Sequence, residues 1–197
     1  MPTRIPLPVL SGHCPIDELP DELDLSELAD EMERLWIKSV AGLDEGSAVE
    51  HAATIVLRAD GSLKLMNEVA GSLFNVLPNF AVAAPNTFLG TFHTHPRIDG
   101  LLPMPFSDTD FISTIQLREN LSLLYSDEIT FALVRTTTTA NYVVVHELES
   151  EFDLFVVNPN TEARFLPNAV WAANKWLAKI YGFGLYMGTP NELFREV

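Results

Sequence analysis

The chain has 197 residues, 47% of them hydrophobic and 20% charged, enough for one domain with a real core and short for two. Twelve basic residues against 27 acidic ones leave a formal net charge of −15, which argues against nucleic acid or an anionic membrane as partner and favours one with a basic face. No apolar run reaches bilayer length, the proline-broken N-terminus is a poor signal peptide, and the single cysteine, Cys14, allows no internal disulfide, so the expected setting is the reducing cytoplasm.

Residues 1–25 are expected as an acidic, flexible N-terminal arm. Between Asp17 and Glu33 the chain carries nine acids and no base, a run that reads as solvated surface or as a docking face for a basic partner. His13 beside Cys14 looks like a metal pair, but a mobile segment makes a poor site. From Ser26, a candidate N-cap, the positions Leu28, Met32, Leu35 and Trp36 follow helical spacing up to Gly42. The stretch EHAATIVLRADGSLKLM, residues 50–66, reads as a hairpin around Ala-Asp-Gly. NVLPNFAVAAPNTF reads as a loop holding a short strand, FLGTFHTH as a strand stopped by Pro96, and 97–106 as loop.

A helix is expected from about Asp108 to Asn120, with Phe111, Ile112 and Ile115 on one side. ITFALVRTTTTANYVVVHELE reads as a second hairpin and DLFVV as a further short strand. PNAVWAANKWLAKIYGF reads as a final helix with Val170, Trp171, Leu177, Ile180 and Tyr181 as its apolar stripe. The tail GLYMGTPNELFREV carries no clear pattern. The sum is a single α/β domain with a core at 26–150. Residues 151–197 either complete that core or form an interface.

Chemistry concentrates in GTFHTHPRIDGLLPMPFSDTDF, residues 90–111. His93 and His95 stand at i and i+2 on a strand, so both imidazoles leave one face of the sheet. With Asp110 they make two nitrogens and a carboxylate, a familiar catalytic zinc set that leaves a fourth position for an acidified water. Ser107 followed by Asp110 is also a helix-capping motif. The two roles are compatible, because a capped helix start holds the aspartate still.

HTHP followed by SDTD resembles the JAMM signature (His-x-His-Pro, a spacer, Ser-x-x-Asp) of the MPN+/JAB-domain metallopeptidases. The resemblance implies a three-layer, cytidine-deaminase-like α/β domain, with a mixed central sheet flanked by helices and one Zn2+ per chain. It also implies hydrolysis of a peptide or isopeptide bond after the terminal glycine of a ubiquitin-like protein. Carried over by position, His93, His95 and Asp110 resemble the zinc ligands, and Ser107 the serine that steadies the oxyanion. The order helix, hairpin, histidine strand, helix agrees over roughly residues 26–146.

The family's general base is an upstream glutamate. Glu50, 43 residues before His93, opens a strand that resembles the glutamate-led strand of the RadC branch. Glu45, in LDEGS, is the rival. His51 and His146 read as structural. The spacer of ten residues between Pro96 and Ser107 exceeds the commonest family spacing, and its Leu101, Leu102, Met104 and Phe106 either pack as core or line the substrate groove. An extended substrate tail is expected to pair with an edge strand beside the histidines. A standalone domain of this kind looks bacterial, encoded beside conjugation enzymes. The other readings are a catalytically silent MPN-type scaffold and a RadC-like protein, the latter usually carrying Asn where Thr94 stands.

Overall fold

The computed structural model describes residues 3–42, 47–73, 75–96, 103–156 and 166–197. In chain order these form α1 (Leu7–Leu10), β1 (Glu22–Leu23), α2 (Ala29–Val40), β2 (His51–Leu57), β3 (Leu63–Ala70), β4 (Thr87–Thr94), α3 (Asp108–Gln116), β5 (Leu121–Ser126), β6 (Ile129–Arg135), α4 (Val145–Val156), α5 (Pro167–Tyr181), β7 (Phe183–Thr189) and β8 (Glu192–Arg195). The strands make one mixed sheet of order β1-β8-β7-β6-β5-β4-β2-β3. Among the described strands only β4 and β5 pair parallel, and a parallel neighbour requires a crossover, here α3. An α/β chain with a mixed sheet flanked by helices is therefore what forms.

Strand alternation divides the apolar residues between two cores. Leu123, Ala132 and Val134 face α2 and the N-terminal segment, while their neighbours Leu124, Phe131 and Leu133 face α3, α4 and α5. In β4 the register slips next to Gly90, where Ile55 pairs with Gly90 and Val56 with Phe88. The bulge puts Leu89 and Phe92 in the α2-side core. It sends His93 to the opposite face, with Phe106 of the α3-side core beside its ring. Gly90 also runs close to the next strand: a Cβ there would meet the Leu121 carbonyl at 2.0 Å.

The N-terminal segment is not a loose arm. Val9, Leu10, Leu19, Leu23 and Leu25 are each at most 4% exposed, and β1 pairs with β8. Apolar residues spaced between the acids outweigh the charge, because the carboxylates have partners. Glu27 and Glu31 accept the backbone N–H groups of Leu63 and Leu65, both at 2.9 Å. Glu33 accepts the Tyr125 hydroxyl at 2.8 Å. Ser26 does not cap α2, whose N-cap position is Leu28 without a side-chain bond; Asp24 instead takes the Ser26 N–H at 2.9 Å.

Downstream, the second hairpin is β5–β6, not 129–149. Its turn residues Asp127 and Glu128 both have positive φ, 51° and 68°, the geometry of a two-residue hairpin without the usual Asn-Gly signal. After β6, Thr136 and Thr139 both donate to the Gly182 carbonyl at 2.7 Å, which ties the threonine turn to the end of α5 instead of to a returning strand. Val145 of the VVV run opens α4 and residues 153–156 of DLFVV close it, while Val157 lies outside the described residues. Leu148, Phe152 and Val156, four residues apart and buried, outrank β-branched content as the signal. Helix α3 stops at Gln116, short of the expected Asn120. The tail forms the β7–β8 hairpin within the main sheet. Along α5, Val170 and Leu177 are buried while Ile180 is 45% exposed.

Left-handed φ costs an L-residue roughly 1–2 kcal/mol, and glycine gives back part of that gain in unfolded-state entropy. Glu128→Gly should therefore stabilise the protein by about 0.5–1 kcal/mol, read as a higher urea midpoint at constant m-value.

Candidate metal centre

The bulged strand delivers His93 and His95 to the same side of the sheet, ring centroids 4.9 Å apart. Helix α3 starts directly opposite them. Asp110 occupies its third position, and its carboxylate reaches both rings: Oδ1 lies 3.2 Å from His93 Nε2 and Oδ2 3.5 Å from His95 Nε2. One ligand atom from each of the three residues falls within 4.8 Å of the others, the one such His/Cys/Asp/Glu group among the described residues.

The aspartate is held from its own helix terminus. Ser107 caps α3 in a full capping box. Asp110 Oδ2 accepts the Ser107 N–H at 2.7 Å and the Ser107 hydroxyl at 2.8 Å, while Ser107 Oγ accepts the Asp110 N–H at 3.2 Å. With Oδ2 occupied twice, Oδ1 is the freer ligand atom.

Three contacts fix the chain entering this cap. His95 Nδ1 donates to the Met104 carbonyl at 3.3 Å, the Met104 N–H donates to Ser126 Oγ at 3.1 Å, and Ser126 donates on to the His95 carbonyl at 3.1 Å. Donation from Nδ1 leaves the His95 Nε2 lone pair facing Asp110, the tautomer a metal ligand needs. From α5, the fully buried Asn174 clasps Phe106: its Oδ1 accepts the Phe106 N–H at 3.1 Å and its Nδ2 donates to the Phe106 carbonyl at 2.7 Å.

The residues fit a cation on two observations. His93 Nε2 is buried without a hydrogen-bond partner, an arrangement that costs free energy unless something occupies the lone pair. In the metal-free protein, burial would lower the His93 pKa, but the adjacent Asp110 carboxylate raises it above the ordinary histidine value. His95 is pushed down to about 4 by burial. Burial would raise Asp110, yet His93 holds it well below the usual carboxylate range. The attraction favours positive charge at His93 beside a negative Asp110, and a divalent cation held there would meet the same carboxylate. A buried His93, His95 and Asp110 group could hold a metal ion.

Glu50 enters the same cleft from the start of β2. It is 7% exposed, and burial raises its pKa to about 7. Glu119, at 1% exposure, lies deeper: its carboxylate accepts the Thr91 N–H and hydroxyl at 2.9–3.1 Å, and burial again raises it to about 7. The cleft, about 770 Å3, has an apolar wall that includes Val76, Leu77 and Phe80.

All five favoured site residues, His93, His95, Asp110, Ser107 and Glu50, line this one cleft. Glu45 lies outside the described residues, as do Leu101 and Leu102. Phe106 is core, fully buried 6.2 Å from the His93 ring, and Met104 both packs on that core and lines the cleft. His51 points away from the cleft, 3.6 Å from Glu68, and His146 is exposed in the first turn of α4. His13 is exposed while Cys14 is buried, so they present no common face. Among the described residues the histidine strand is interior, between β2 and β5, and is not itself a sheet edge. Asn174, Ser126, Thr91 and Glu119 have no local signature; only their places in the tertiary structure reveal them. No family model matches the chain, and no curated protein or solved structure matches it.

Purified protein should bind about one zinc or cobalt ion per chain, with binding lost or much weakened in His95→Ala and Asp110→Ala, read by elemental analysis and cobalt absorption. Ser107→Ala should weaken metal affinity by about ten- to a hundred-fold and stability by about 1 kcal/mol. Glu119 supplies a pH test in the metal-free protein. Its folded pKa exceeds the unfolded value, so its contribution is fully present below about pH 4.5 and is lost as pH rises through about 7. Glu119→Gln should therefore gain stability relative to wild type between pH 5 and 8, measured by thermal melts.

Proposed function

We propose that the chain is a zinc-dependent peptidase or isopeptidase of the JAMM type, cleaving after the C-terminal glycine of a ubiquitin-like protein. The observation that carries the reading is the convergence of Glu50, from one strand, on the His93–His95–Asp110 group supplied by another strand and a helix. The full motif, the α/β sheet with helices on both faces and the upstream glutamate agree with the JAB-domain pattern.

A zinc ion held by His93, His95 and Asp110 would supply Lewis acidity toward the scissile carbonyl and lower the pKa of water. Glu50 takes the proton of the attacking water and returns it to the leaving amine, and a pKa near 7 suits both steps. The Ser107 hydroxyl, bonded to Asp110 Oδ2 at rest, can turn to the developing oxyanion, because its own N–H keeps hold of that carboxylate oxygen. Val76, Leu77 and Phe80 offer an apolar wall to an extended tail. The glycine preference and the ubiquitin-like substrate come from the motif resemblance, and the −15 charge favours a substrate or conjugation partner with a basic face.

The test is incubation with linear and isopeptide-linked ubiquitin-like fusions, read by mass spectrometry with and without chelator. Chelator-sensitive cleavage after glycine is expected. Glu50→Gln should keep its metal and lose at least about a hundred-fold in turnover. Full turnover in Glu50→Gln removes the assigned base, and metal binding with no cleavage of any fusion favours the scaffold reading.

A further inference from the structure

Behind the cleft, on the α2 side of the sheet, two buried hydroxyls join the histidine strand to the backbone around Glu50. Thr94, between the two histidines, faces away from them, and both it and Ser39 at the end of α2 are fully buried. Three short hydrogen bonds connect them: His51 N–H to Thr94 Oγ1 at 2.9 Å, Thr94 Oγ1 with Ser39 Oγ at 2.7 Å, and Ser39 Oγ to the Val49 carbonyl at 2.5 Å; the His51 carbonyl is a longer second acceptor for Thr94 Oγ1 at 3.5 Å.

The proton inventory gives this chain a direction. An amide can only donate and a carbonyl only accept. Ser39 therefore spends its single proton on Val49, and the shared bond must be donated by Thr94. The relay starts in the peptide group after Glu50 and ends in the peptide group before it. The opposite ends of the same two peptide groups are bonded as well, Glu50 N–H to the Ser72 carbonyl at 2.7 Å and Gly71 N–H to the Glu50 carbonyl at 2.8 Å. Both planes flanking the Glu50 Cα are thus fixed on both sides, and the anchor of one side is the residue between His93 and His95.

We propose that Ser39 and Thr94 are positioning residues that lock Glu50 at a set offset from His93 and His95, so that the acid–base group and the metal-binding imidazoles move as one unit. This rests on the reading of Glu50 as the proton carrier. The relay uses hydroxyls because each must accept and donate at once where both side chains are closed off from solvent, which neither valine nor alanine can do. Register pairing of Ala52 with His93 and of Phe92 with Leu123 holds the imidazoles independently of the relay.

The test uses Thr94→Val, Ser39→Ala and the hydroxyl-preserving Thr94→Ser in the zinc- and cobalt-loaded protein. Expected for the first two are wild-type metal content and cobalt spectrum, His51 amide exchange faster by about ten-fold or more, and kcat down by about ten- to a hundred-fold with KM within about two-fold. Thr94→Ser should restore all of these. Unchanged His51 exchange in Ser39→Ala and Thr94→Val overturns the relay, and so does unchanged kcat once exchange has accelerated. Metal loss in parallel with turnover would make the hydroxyls general fold supports and also overturn it. If Thr94→Val fails to fold, Ser39→Ala carries the same readouts. Absence of cleavage by the wild type, with the exchange effect present, sinks the reading of Glu50 as a catalyst and leaves the clamp standing.

Discussion

A carboxylate buried against two imidazoles is the constraint on which the centre of this protein depends. Withdrawing an ion from water costs several kcal/mol unless its lone pairs are filled. Asp110 meets that cost with a division of labour between its oxygens: Oδ2 takes both hydrogen bonds of the helix cap and lies 3.5 Å from His95, while Oδ1 faces His93. Everything around it serves that division. The Gly90 bulge chooses the face of the strand, the crossover after β4 brings a helix N-terminus opposite it, and Asn174 reaches across from α5 to steady the residue before the cap. Helix α5 is thereby part of the centre, although it follows the histidines by more than seventy residues.

What could be read from the sequence was what local geometry encodes. Two histidines one residue apart share a face on any strand, and Ser-x-x-Asp is a cap wherever a helix begins. Glu50 was legible because it opens a strand. The clasp of Asn174 on Phe106 spans 68 residues and the bonds of Glu119 to Thr91 span 28. Neither leaves a periodicity or a spacing to find. Serine, threonine and asparagine at such places look like ordinary surface residues until the chain is folded around them.

Where the structure departs from the sequence expectation, the spacing of apolar residues outweighs composition. In VVVHELESEFDLFVV the β-branched ends suggest strands, yet Leu148, Phe152 and Val156 keep helical spacing throughout. In the first 25 residues the acids suggest a solvated arm, yet leucines recur between them and are buried. At Asp127–Glu128 the turn adopts left-handed backbone without glycine or asparagine. Aspartate tolerates that conformation but glutamate does not favour it, and the pair lacks the glycine that usually marks such a turn.

The carboxylates of Glu27 and Glu31 change what the outside of the sheet can do. β3 is a terminal strand, and terminal strands recruit others through their outward amides. Two of those amides, on Leu63 and Leu65, are already taken by side chains of the chain itself. A foreign strand would have to evict two charged acceptors to dock there, and a second copy would bring the same acids with it. The acidic run therefore acts as a self-supplied guard on that flank against runaway polymerisation through the sheet.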